Sequence, residues 1–199
     1  MISKLARILT DRQVDKGKLP SDEREVFYYA FENLISDIFN ILLSLGIGFL
    51  FGKCFEMLVF LACYGMIRKH AGGYHACTRG RCNVISICIV LLIVSLNCLE
   101  YSIIPVWIMC IVVIMLSFGI IHISPVEAIN KPLNFEEKKK NKISTLKNIV
   151  LINLFAYLWM ILFLDRSLLY NAMLAFTAVL LLQIFGMIKL YHYKNNQGR

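Results

Sequence analysis

The sequence is poor in charge, and poorest in negative charge: 17% of its 199 residues are charged, with 13 Asp and Glu against 21 Lys and Arg. With 58% apolar residues and a mean hydropathy of +0.66, it falls outside the soluble globular class. Residues 1–33 lack an uninterrupted apolar core followed by a small-residue cleavage site, so no secretory signal is expected. There is no nucleotide, flavin or haem motif and no internal repeat, so no cofactor is expected. Apart from Asn97, Asn153 and Gln183, the interiors of the apolar runs are nearly free of the polar or charged groups expected near mid-membrane. A transporter would need such groups at mid-membrane, often in paired repeats. No GxxxG face stands out either, since Gly46 and Gly48 are too closely spaced.

What is present is a succession of six apolar runs, at 34–51, 54–67, 84–99, 103–123, 149–164 and 168–188. Most approach the roughly 20 residues needed to cross about 30 Å of hydrocarbon. The second is short, rising only about 21 Å. It needs snorkelling by Lys53 and Arg68, local thinning, or a re-entrant path. Ahead of the runs, Ile2, Leu5, Ala6 and Leu9 recur at helical spacing among Lys4, Arg7 and Arg12, the pattern of a helix lying on an anionic membrane surface. Ser21-Asp22-Glu23 then reads as a helix start. The expected fold is an all-α integral membrane protein of six transmembrane helices with an N-terminal interfacial amphipathic helix. It forms one polytopic domain, 1–199, with cytosolic or interfacial N-terminal helices over 1–33.

Charge sets the orientation. With six crossings and the N-terminus inside, every cation except Lys53 and Arg166 is cytosolic. If the second run did not cross, only the N-terminal cations and Arg166 would stay inside. The positive-inside rule selects the first arrangement, with both termini cytosolic. The basic charge thus belongs to membrane topology, and no nucleic-acid partner is expected.

Residues 68–83 form a cytosolic polar segment in this arrangement. Arg68, Lys69, His70, Gly72, Gly73, His75, Cys77, Arg79, Gly80, Arg81 and Cys82 combine nucleophile, base and cationic side chains. A thiolate is the attacking form of cysteine, and cationic neighbours such as Arg79, Arg81 and His75 favour it. His75 and Cys82 are seven residues apart, about 10 Å along a straight helix, whereas a nucleophile–base contact needs roughly 3 Å. The chain must bend for the two to meet, and Gly72, Gly73 and Gly80 permit a bend. Three readings stay open on the residues alone: a catalytic Cys/His pair, a charged loop without chemistry, and a metal set of His70, His75, Cys77 and Cys82. The last matches no standard zinc spacing. Cytosolic thiols stay reduced, so the seven cysteines need not imply disulfides.

Arg68, His70-Ala71-Gly72, His75-Ala76 and Cys82, together with Lys131-Pro132 after the fourth run, resemble the signature of the accessory gene regulator B (AgrB) family of membrane cysteine endopeptidases. The resemblance implies catalytic roles for His75 and Cys82, and leaves Cys77 as an extra thiol. It implies a substrate like the AgrD precursor, with an amphipathic leader, a signal segment containing a cysteine, and an acidic tail. It further implies tail removal through a Cys82 thioester with cyclisation to a thiolactone, a bacterial cytoplasmic membrane setting, and a homodimer. The competing class is a small transporter or membrane-embedded binding protein.

Other polar residues are candidates for support. Arg79 and backbone N–H groups over 80–83 are candidate oxyanion donors. Arg68 reads as an interfacial anchor or structural partner. Asp37, near the inner end of the first run, is a candidate for orienting a histidine or an acid paired with a lysine. Glu127 is a candidate third member of the site, with His122 and Ser124 nearby. The loop 124–148 carries Lys138, Lys139 and Lys140, suited to anionic lipid or to the acidic tail. Its Glu136-Glu137 pair lacks the downstream arginine and separate histidines of the CAAX-type proteases.

Overall fold

A computed structural model describes residues 2–17, 20–74, 79–99, 104–127 and 133–197. Among them are seven α-helices: α1 (Ile2–Asp15), α2 (Arg24–Leu50), α3 (Cys54–Ala71), α4 (Arg79–Cys98), α5 (Val106–Ile123), α6 (Phe135–Phe163) and α7 (Ser167–Gln197). A 3-10 turn, Ser21–Glu23, leads into α2. Five helices (α2, α4, α5, α6 and α7) are long and apolar enough to cross a membrane, so this is a multi-pass helical membrane protein. α3 falls outside that set, because Glu56, Arg68 and Lys69 lie within its 18 residues.

The chain divides into two compact units, Met1–Gly46 and Ile47–Arg199. In the first, Arg24 donates to the Asp11 carboxylate (Nε to Oδ1, 2.9 Å) and Arg7 lies 5.5 Å from the centre of the Tyr28 ring. Leu5 and Ile8 are exposed on α1.

In the second unit α7 packs against α3, α5 and α6, and α6 also packs against α3. Small residues on α7 (Ala172, Ala175, Ala178) are buried and allow close helix approach. Phe60 and Ile67 of α3, Ile120 of α5, Ile149 of α6 and Phe176 of α7 fill the space between. The polar residues of the spans hold helices together. Asn97 and Asn171, each 1% exposed, exchange side-chain hydrogen bonds at 3.1 and 3.3 Å. Asn153 donates to the Ser117 hydroxyl at 3.0 Å.

The helices run past the expected apolar runs at several ends. The loop expected over 124–148 is helical from Phe135 onward, because Asn134 and Glu137 form a capping box and Glu136 and Glu137 place negative charge in the first turn. α6 therefore rises roughly 43 Å, well beyond the hydrocarbon thickness of about 30 Å. The short second run extends through Ala71, so α3 rises about 27 Å rather than 21 Å. Much of the expected 68–83 segment thus belongs to helices, with Arg68 to Ala71 ending α3 and Arg79 to Asn83 opening α4.

Candidate active site

α3 stops where glycine lets it. Gly72 has φ +70° and Gly73 φ +127°, conformations that L side chains rarely adopt. Gly72 forms an isolated parallel bridge with Val126, and a β-carbon there would strike the Val126 carbonyl oxygen. Gly80, also expected to bend the chain, instead lies in the first turn of α4.

The turn is fixed from several sides. Arg68, half-buried, donates through its two terminal nitrogens to the carbonyls of Gly72 and Tyr74, the charge-assisted fork for which guanidinium is suited. The Val126 N–H donates to the Ala71 carbonyl at 2.9 Å. Gln183, fully buried in α7, donates to the same carbonyl at 3.2 Å and to the Ser124 hydroxyl at 2.9 Å. The Tyr74 N–H donates to the Leu182 carbonyl at 2.7 Å, and the Lys189 ammonium sits 5.0 Å from the Tyr74 ring centre. Gly186 lets α7 press against the backbone of Gly73 and Tyr74. Arg68 is therefore a structural partner of the turn, one of the two roles the sequence allowed it.

Cys82 is exposed on the opening turn of α4, where the helix dipole favours negative charge. Arg68 holds the carbonyl of Tyr74, the residue before His75, and α4 begins five residues beyond Tyr74, at Arg79. His75 and Cys77 lie outside the described residues, as does the Arg79 side chain. Two of the four members of the sequence-level metal set are thus undescribed. His70 Nδ1 faces the Asn141 side-chain oxygen at 3.5 Å.

Glu127 accepts an ion-pair hydrogen bond from Lys138 at 2.6 Å, which ties the rim of the turn to α6. Lys139 and Lys140 stay exposed on the same stretch. Asp37 is exposed on α2, in the first unit, and has a polar interaction of its own. The hydrogen bond from Lys138 holds the Glu127 carboxyl below its ordinary value of 4.5. The pair is then fully formed above the unfolded carboxylate value and is lost as pH falls through the depressed folded one. A carbon-13 label on the Glu127 carboxyl is expected to titrate below 4.5 and to rise toward that value in Lys138→Gln; the same value in both proteins would contradict the pairing.

Gly186 and Lys189 were missed from the sequence. Both sit in an apolar or interfacial stretch far from the motif in sequence, and only tertiary packing brings them to the turn. Gln183 carried a signal, being one of few polar residues in a span.

The fold and the site together define a multi-pass helical membrane protein with an exposed thiol at the start of one helix and a glycine-hinged basic turn at the end of another. The model of the family described as accessory gene regulator B matches residues 2–187, and the chain belongs to that family. It is 30% identical over 146 residues, 70% of this chain and 68% of the relative, to a Clostridium perfringens strain SM101 protein provisionally named AgrB-like. It is 28% identical over 145 residues, with the same coverage of both chains, to a second such protein of strain 13. No solved structure matches.

Proposed function

We propose that this protein is a membrane cysteine endopeptidase that removes the acidic C-terminal tail of an AgrD-like pre-peptide and promotes cyclisation of the remainder to a thiolactone. The observation that carries this reading is Cys82, exposed on the first turn of α4, which follows closely in the chain on the Arg68-pinned turn that runs into His75.

His75 takes the thiol proton and the Cys82 sulfur attacks the carbonyl carbon at the boundary of signal segment and tail. Backbone N–H groups at the start of α4, with Arg79, receive the developing oxyanion. The C–N bond breaks, the imidazolium returns its proton to the leaving amine, and the signal segment remains as a thioester on Cys82. The substrate's own cysteine, deprotonated by His75, then attacks that thioester. Cys82 leaves as thiolate and recovers its proton, giving the cyclic thiolactone. A tethered thiol acts at high effective concentration, so cyclisation outruns hydrolysis. Every step uses groups of this chain and of the precursor, without a cofactor.

The setting is the bacterial cytoplasmic membrane, with the chain as one polytopic domain and α3 as its sixth crossing. Both termini and the catalytic turn face the cytosol, and α1 lies on the surface. Lys139 and Lys140, with Lys138 held at the rim by Glu127, suit an acidic tail. A homodimer belongs to the same reading.

The test is mass spectrometry of membranes that hold the chain with a precursor encoded beside it. A released tail, a cyclic product and, when the precursor's cysteine is replaced by alanine, an acyl adduct on Cys82 are the expected species. An uncut precursor, or an adduct on Cys77 instead, sinks the assignment.

A further inference from the structure

A cavity of about 450 Å³ lies between α4 and α7 and begins at Tyr74, the residue before His75. Its α4 wall includes Ile85, Ile89, Ile93 and Leu96. These residues follow Cys82 by three, seven, eleven and fourteen positions, so by helical periodicity they continue the face that carries the thiol. The α7 wall near the turn is Leu182 and Phe185, and Leu182 is also the residue whose carbonyl holds the Tyr74 N–H. The groove and the turn are therefore built from the same segment of α7.

The lining offers almost nothing to a polar guest. The Thr177 hydroxyl is already used, donating to the Met173 carbonyl at 2.8 Å. A polar side chain placed there would lose its hydration without compensation, and peptide backbone would be excluded for the same reason. An apolar side chain meets neither cost.

We infer that this groove is the specificity subsite for the acyl side of the scissile bond, taking the bulky aliphatic or aromatic side chain of the residue whose carbonyl Cys82 attacks. The inference rests on the peptidase reading above. The helix face supports it, because the stripe of α4 that carries the thiol continues into the groove. In the peptidase reading the acidic leaving segment belongs with the exposed lysines of α6, which leaves the apolar groove to the acyl side. An acyl group on the Cys82 sulfur is held by its own covalent bond about one helical turn from Ile85, which lines the groove, an anchor that a lipid chain lacks.

The experiment uses the full-length protein in phosphatidylglycerol and phosphatidylcholine vesicles with synthetic precursors carrying Leu, Phe, Ala or Asp before the scissile bond. The wild-type protein is expected to cleave the Leu and Phe peptides at least about tenfold more efficiently in kcat/KM than the Ala peptide, and the Asp peptide least, as an apolar pocket discriminates by filled volume. Ala178→Phe fills the groove from α7 and is expected to bring the Leu-to-Ala ratio close to one, whereas Phe185→Ala enlarges the mouth and should shift preference toward Phe. Equal cleavage of all four peptides, or a Leu-to-Ala ratio unchanged in both inserted variants, overturns the subsite while leaving a Cys82-dependent peptidase in place. Native mass spectrometry that finds a phospholipid on wild-type protein but not on Ala178→Phe, with selectivity unaltered, makes the groove a lipid site and also overturns it. Absence of any Cys82-dependent cleavage removes the peptidase reading and the subsite together.

Discussion

Cys82→Ala is expected to slow tail release at least about 10⁴-fold, equivalent to about 5.5 kcal/mol of transition-state stabilisation. Without the sulfur there is no thioester, and only direct attack by water on an amide remains. His75→Ala is expected to cost a similar factor, because a thiol without its base is a poor nucleophile at the cleavage step. The double variant should be no slower than either single one, since residues that act as a unit lose their contribution together. Cys77→Ala separates the two thiols in the segment and is expected to retain a rate close to that of the unaltered protein. Single-turnover rates on one synthetic precursor in vesicles give all four values. A Cys77→Ala rate as low as that of Cys82→Ala would move the nucleophile five residues toward His75. Additive losses in the double variant would mean that the two side chains do not share a step.

Much of this was legible before any coordinates, and the limit has a physical pattern. Features set by local chemistry could be read directly: a helix over the first residues, the helix start near Ser21, the apolar runs, and Gly72 and Gly73 as residues able to turn the chain. α6 shows where local reading fell short. Its first turns look like a loop because they are charged, yet Asn134 and Glu137 cap them, and lysine and glutamate are good helix formers. Charge marked the end of the apolar run, not of the helix. Gly80 misled in the opposite direction, since a glycine is tolerated in a helix whose start is set by its neighbours. In the site, the motif marked His75 and Cys82 as the residues to test, and Arg68 was left open as an interfacial anchor or a structural partner. Its two carbonyl acceptors could not be read, because they depend on the turn it stabilises. The parts supplied by Gln183, Gly186 and Lys189 lie more than a hundred residues away in sequence. No spacing rule connects such positions to the turn.

Gly186→Ala is expected to lower kcat for processing by roughly 100-fold with little change in KM. A β-carbon at this position would lie 2.7 Å from the Gly73 carbonyl carbon and from the Tyr74 nitrogen, and 3.0 Å from the Gly73 Cα. These are backbone atoms of a turn already held by Arg68 and by the 2.7 Å bond from Tyr74 to the Leu182 carbonyl, so the contact is relieved by moving the turn, and His75 with it. The sign of the effect on the helix itself is opposite. Alanine is the better helix former by up to about 1 kcal/mol, so α7 should be at least as well formed and the protein should reach the membrane in normal amount. Activity and insertion therefore separate, which a general loss of folding would not allow. Gly65→Ala is the control, since nothing lies within 4 Å of a β-carbon there, and it should process at the unaltered rate. Arg68→Lys should resemble Gly186→Ala, because one ammonium cannot reproduce the fork that binds the Gly72 and Tyr74 carbonyls. Its charge would be conserved, so a loss comparable to that of Arg68→Ala assigns the effect to geometry rather than to the positive field near Cys82. If Gly186→Ala and Arg68→Lys both turn over normally, the turn does not set the position of His75, and the base must be held from elsewhere.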